Sequence, residues 1–335
     1  MNFLENLYVI ENLADIAVLK YGLFISLVLA LPFVSILFGS ILFSLLHLSK
    51  SADYDNEEYF SYSKFLAEFV TKKMWFRILF GVLPFFGVTF FYTQLYSNNI
   101  PSASVSLLTA FLLFVVGLCS SVMYKSKFSS DKQNSGSIFG WIGVIFTSLS
   151  VFVLIGYIQA SATSFVNIAD SFWSIVFSSN AMMYFMLFIS ISFSVTSAVV
   201  LGKVNKYKSY EGYSNYWKEY ALKTGMIFNF VQPFLLVLIV VSTPTSALSF
   251  SFFGTIVLAL LLMLITSVQF YNSYRDQNSN STSIVLVFLL LISVLIYTGQ
   301  ISSENSQRKS TIKNKVQIEM FSFNEIPIHE HSKNS

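Results

Sequence analysis

The sequence is poor in charge, in histidine and above all in cysteine, and each shortage removes a class of function. Only 11% of its 335 residues are Asp, Glu, Lys or Arg, against about 25% in an ordinary soluble domain. A surface with so little charge is not built to face water. Cys119 is the only cysteine, which excludes an intrachain disulfide, a CxxCH haem attachment and any multi-cysteine zinc or iron–sulfur site. Its place inside an apolar run predicts a small buried hydrophobe. The net charge of +3 is too small for a nucleic-acid partner, whose binding rests on many phosphate contacts. The N-terminus has no basic segment before its first apolar run, and carries Glu5, Glu11 and Asp15 instead. It therefore does not read as a cleavable signal.

What the chain does hold is long apolar runs. Hydrophobic residues make up 54% of it, with 36 Phe and 18 Tyr, and the mean hydropathy is +0.64. A helix needs about 20 mostly apolar residues to cross the hydrocarbon core. Such runs occur at residues 21–48, 74–96, 102–124, 138–160, 181–201, 222–242, 250–271 and 283–300. The sequence thus predicts an all-α, polytopic transmembrane helix bundle of about eight spans. Pro32 is expected to kink the first span.

Three regions follow. Residues 1–20 read as an amphipathic interfacial helix, since Phe3, Leu7, Ile10, Leu13 and Ala17 share one face, with Glu5, Asn12 and Asp15 elsewhere. Residues 21–301 form the transmembrane bundle, and residues 302–335 a polar extracytoplasmic tail. That tail has a short apolar stretch at Ile318, Met320, Phe321, Phe323 and Ile326. Residues 60–73 form a second amphipathic stretch, and Trp75, Trp141 and Trp173 fall at span ends, where aromatic side chains anchor.

Lys and Arg are distributed unevenly. They crowd the first, third, fifth and seventh connections and the adjoining span ends, from Lys50, Lys64, Lys72 and Lys73 to Lys203, Lys206, Lys208 and Arg275. The even-numbered connections hold none. Basic residues mark the cytoplasmic side, which places both termini on the extracytoplasmic side, the membrane being a bacterial inner membrane.

Chemistry is sparse. The central parts of the spans hold no Asp, Glu, Lys or Arg, and an ion-coupled transporter or a proton-delivering oxidase needs such a relay. Arg77 lies one turn into its span, close enough to the interface to snorkel. Gln94, Asn229, Gln232 and Gln269 are expected to bond between helices. Of the three histidines only His47 adjoins a span, and it is the one cofactor candidate. It is either an axial haem ligand or a polar tip capping the helix end. His329 and His331 on the tail make too few ligands for a metal site, and no nucleophile–base pair or phosphate loop occurs. No cofactor, metal or catalytic residue is expected.

Two short segments resemble a known family. The stretch Tyr59-Phe60-Ser61-Tyr62-Ser63-Lys64-Phe65-Leu66-Ala67-Glu68-Phe69-Val70-Thr71-Lys72-Lys73-Met74, leading on to Gly81-Val82, is similar to the first cytoplasmic connection of cytochrome bd quinol oxidase subunit I. Leu66, Ala67, Phe69 and Lys72 match that family's pattern, while Glu68 and Val70 replace its arginine and tryptophan. Residues 216–236, with Ala221, Lys223, Gly225, Gln232 and Pro233, resemble a later span entry of the same family. The resemblance implies the helix bundle but not the chemistry. The place of the family's first haem histidine falls near Lys20 or Tyr21, the second has no counterpart, and the intramembrane glutamates are missing. The family's quinol loop shrinks to residues 243–249.

These features together lead to the expectation of a non-catalytic membrane subunit, a scaffold or docking platform in a respiratory electron-transfer complex. Its partners would be the lipid bilayer and other membrane or cytochrome subunits. A transporter or channel for a neutral or lipid-like solute is the alternative, with Asn229 and Gln232 beside the breaks at Pro32, Pro84 and Pro233. A haem b-binding oxidoreductase subunit using His47 is the second.

Overall fold

In hydrocarbon no water is at hand for backbone N–H and C=O groups, so each apolar run must satisfy them within itself as a helix. The structure, a computed structural model, describes residues 13–54, 57–71, 73–96, 103–128, 133–162, 177–206, 215–275 and 281–324. Among them the chain forms α1 (Leu13–Tyr54) and α2 (Glu57–Thr71). Next comes α3, built from Met74–Arg77, a π-helical turn at Ile78–Val82, and Leu83–Tyr96. Then follow α4 (Ala103–Lys127), α5 (Gln133–Ala162), α6 (Ser179–Lys206), α7 (Asn215–Ser242), α8 (Phe250–Arg275) and α9 (Ser281–Asn324). All but α2 are long and apolar enough to cross a membrane, which makes 8 candidate spans. The protein is an all-α polytopic bundle.

Two helices form its centre. In α1 and α6 the most apolar segments are 67% and 72% buried, against 28% in α3. Helix α1 packs on α2, α3, α5, α6 and α9, and α6 packs on α1, α5, α7 and α9. Small residues let the two central helices meet closely. A Cβ on Gly39 of α1 would lie 2.8 Å from the Ser192 carbonyl oxygen of α6 and would collide with Thr196. Such close backbone approach is the usual basis of helix association in lipid.

The ends of the bundle differ. Lys50, Lys64, Lys125, Lys203 and Lys218 gather at one end, the basic face, where α2 rests on its neighbours. Its residues Tyr62, Ser63, Leu66 and Ala67 are buried, and Glu57, Glu58 and Lys64 are exposed. The helix is thus amphipathic, as its sequence predicts. A hydroxyl cluster fastens it: Ser44 donates to the Ser63 carbonyl at 2.7 Å, and Ser63 donates to the Ser44 carbonyl at 2.7 Å. With its one proton committed, Ser44 accepts from the Tyr124 hydroxyl at 2.9 Å, which draws α4 into the same joint.

The opposite end carries the first residues of α1 and the extension of α9, and we call it the terminal face. Here the structure departs from the sequence-based boundaries. Leu13 to Leu19 do not form a separate interfacial helix but run unbroken into the first span. Phe3, Leu7 and Ile10 lie outside the described residues. At 42 residues, α1 is about 63 Å long, twice the hydrocarbon thickness. Helix α9 likewise continues past Gln300 to Asn324, so the polar segment after the last span begins as helix.

Three further expectations resolve in physical terms. Pro32 sits within a continuous helix. A separate irregularity lies in α3, directly before Pro84, where the Leu83 N–H reaches the Ile78 carbonyl in a widened turn. Cys119 is not buried but exposed. An outward position on a span is still apolar, so the run around Cys119 does not distinguish core from lipid. Trp75 and Trp141 are exposed, as interfacial anchors are, and Trp173 is outside the described residues.

Candidate functional site

His47 stands near the basic end of α1 and is 1% exposed. Its Nδ1 lies 2.7 Å from the Phe43 carbonyl oxygen, which can only accept, so Nδ1 carries a proton. In the neutral ring Nε2 is then the acceptor, and the Tyr216 hydroxyl donates to it from 3.0 Å. Both nitrogens are thus occupied by the protein. Around the ring stand four tyrosines. Tyr220 and Tyr62 meet it edge-on at centroid distances of 4.4 and 4.7 Å, and Tyr216 and Tyr59 stand at 6.0 and 6.1 Å. Trp217 stacks on Phe65 at 5.1 Å beside them. Burial, with the Tyr220 and Tyr216 phenols close by, pushes the Tyr62 hydroxyl well above the ordinary tyrosine range, so it stays neutral.

This arrangement does not fit a haem. An axial histidine needs a free Nε2 lone pair and open space on its face. Here Tyr216 holds the lone pair, and Tyr62 and Tyr220 hold the space. Among the described residues, no group of three or more His, Cys, Asp or Glu side chains converges either. What the cluster does chemically is join α1, α2 and α7 through one neutral hydrogen-bonded ring. The tyrosines were not singled out from the sequence, although a signal was present. Tyr59 and Tyr62, like Tyr216 and Tyr220, are spaced three or four apart and so share a helix face.

Three neutral polar residues of the spans, Asn229, Gln232 and Gln269, bond between helices. Asn229 of α7 donates to the Met263 carbonyl at 3.1 Å and to Ser267 at 2.6 Å on α8, and accepts from Thr266 at 3.0 Å. Gln232 donates to Ser194 of α6 at 3.0 Å, and Gln269 of α8 to Ser283 of α9 at 2.9 Å. Replacing Asn229 with Leu should therefore destabilise the α7–α8 contact by about 1 kcal/mol, the usual scale of such bonds in membranes. Detergent unfolding would read it, and an unchanged midpoint would contradict the bonding.

A sizeable void lies elsewhere, in the half of the bundle nearer the terminal face. It is a cavity of about 160 Å³ between α1, α3, α5, α6, α7, α8 and α9. Its body is apolar, walled by Leu31, Leu154, Leu187, Ile191, Leu236 and Ile296, and its rim carries Gln159, Tyr184, Gln300 and Ser302. Asn229, Gln232 and His47 do not line it.

Among the described residues no Asp, Glu, Lys or Arg side chain is buried. The fold and these sites define an integral membrane helix bundle whose interior polarity is neutral. Compared with known proteins, the chain matches no family model, and no curated protein matches it.

Proposed function

We propose that this chain is a non-catalytic subunit of a respiratory electron-transfer complex, a docking platform on a bundle similar to that of cytochrome bd quinol oxidase subunit I. The observation that carries the reading is the braced extension of α9. Beyond Glu304 the helix runs on for about 30 Å, farther than a span requires, and its base is tied down at several points. Lys20 of α1 pairs with Glu304 at 2.8 Å. Asn305 donates to Ser249 at 2.7 Å and to the Ala247 carbonyl at 3.3 Å, and Lys309 donates to the Thr245 carbonyl at 3.1 Å. A helix held at its root and projecting from the membrane offers a rigid surface to a neighbouring subunit. The neutral interior supports the same reading, because it offers no proton relay.

In this reading the basic face is cytoplasmic, and the α9 extension stands outside a bacterial inner membrane, where soluble redox carriers work. The test is purification from native membranes in mild detergent with a photocrosslinking residue in place of the exposed Arg308. Crosslinks to cytochrome-bearing chains are expected, and the isolated subunit should show no haem absorbance of its own. A stoichiometric haem b band in the isolated chain would overturn the proposal. So would solute uptake by proteoliposomes that contain this chain alone.

A further inference from the structure

The cavity and the orphaned amide at its rim point to a lipid site. Most polar groups near the rim are engaged: Ser242 donates to Asn180 at 3.1 Å, and Asn180 donates to Gln159 at 2.9 Å. Among the described residues that line the cavity, Gln300 alone holds a fully buried polar side-chain atom with no partner. Its Nε2 is buried without a hydrogen-bond partner among the described residues, and an unsatisfied buried donor is costly enough that native proteins rarely keep one. Below it the walls are mainly aliphatic, with Tyr92 and Phe188 among them, down to Ser35 of α1, which is 2% exposed. About 12 Å of helix separates Leu27 near the top from Ser35. An apolar void of this size does not fill stably with water, and left empty it forfeits dispersion contacts on every wall.

We infer that the cavity takes an ester-linked acyl chain, with the chain in the mainly apolar chamber and the ester carbonyl accepting from Gln300. Three observations select this class. First, the lining carries no Asp, Glu, Lys, Arg or His, so the buried part of the ligand is uncharged. Second, the free group at the rim is an N–H donor, which calls for an acceptor oxygen. Third, Gln300 lies one helical turn below Glu304, whose side chain and that of its partner Lys20 are 51% and 43% exposed. Just beneath the water-exposed layer is the depth at which glycerolipid ester groups sit. The volume holds on the order of ten water-sized spheres, comparable to the methylenes of an acyl chain. The site does not depend on the subunit role proposed above.

The experiment uses the full chain in phosphatidylcholine vesicles with either of two diazirine-acyl probes, a phosphatidylcholine or a monoacylglycerol. After irradiation, labelled residues are mapped by mass spectrometry. Label is expected on the inward residues Ile155, Leu187 and Ile296, and should be lost from Ile155 and Ile296 in Leu187→Trp, which fills the chamber. Label on the outward residues Val257 and Leu261 of α8, both exposed, should persist in that variant. Gln300→Leu, a milder change, should reduce inward labelling while leaving the fold intact. Inward labelling by the phosphatidylcholine probe identifies a membrane lipid as the source, and labelling by the monoacylglycerol alone identifies a free amphiphile. Inward labelling no stronger than on α8, or unchanged in both variants, overturns the inference.

Discussion

Replacing Gly117 with leucine will drive α4 and α5 apart and leave little folded protein. The two helices touch backbone to backbone. A Cβ on Gly117 would lie 2.9 Å from the Thr147 amide nitrogen and 3.2 Å from the Gly143 carbonyl oxygen. A Cβ on Gly143 would in turn meet the Gly117 carbonyl at 3.3 Å. Neither contact is the flexible end of a side chain that can swing aside, so accommodation requires a whole helix to shift. Overpacking usually costs about 1–3 kcal/mol, and a backbone clash belongs at or above the top of that range. In lipid there is no competing hydrophobic drive to hold displaced helices together. Gly254 of α8 provides the control, since a Cβ added there would meet nothing within 4 Å. Gly254→Leu should unfold in detergent as the parent does. Equal midpoints for the two leucine variants would show that α4 and α5 are not in close contact.

His47→Ala should be nearly as damaging, for a different reason. It removes an enclosed ring that four tyrosines face, opens a cavity, and leaves the Tyr216 hydroxyl without its acceptor. Truncating a buried aromatic side chain typically costs about 3–5 kcal/mol. Tyr216→Phe removes a single hydrogen bond and should cost about 1–2 kcal/mol by leaving Nε2 unsatisfied. The two residues touch, so their effects should not add: the double variant should be less unstable than the sum of the single ones. Additive losses would mean that the hydrogen bond is not formed. A visible absorbance band in the parent protein that disappears in His47→Ala would instead assign the histidine to a bound chromophore.

The fold was largely legible because a span announces itself by length and apolarity alone. The limits of α3, Met74 and Tyr96, coincide with the run at residues 74–96, and α2 is visible from the alternation of Leu66 and Ala67 with Lys64. Which side of each helix packs was not legible. A helix that is apolar all round carries no stripe to mark its inner face, and Cys119 is misplaced for that reason. The α9 extension was hidden by its composition, because polar residues such as Glu304, Asn305 and Lys309 resemble a solvated tail. Asn305 and Lys309 are held by the 243–249 segment, whose carbonyls no sequence pattern displays. His47 itself stood out as the only span-associated histidine. Its surroundings did not, since Tyr216 is 169 positions away and only side-chain contacts of α7 with α1 and α2, such as Tyr220 on Phe43 and Trp217 on Tyr62, bring it close.

The tie between Lys20 and Glu304 also bears on how the protein is made. It joins the first span to the last, across 284 positions of chain, so it forms only after α9 has left the ribosome and entered the membrane. Until then α1 lacks one of the helices it packs against, and the wall formed by Ile292, Leu295 and Ile296 is open to lipid. Insertion of α9 is therefore a closing step, in which that helix completes the wall of a chamber that stood open to the membrane until then.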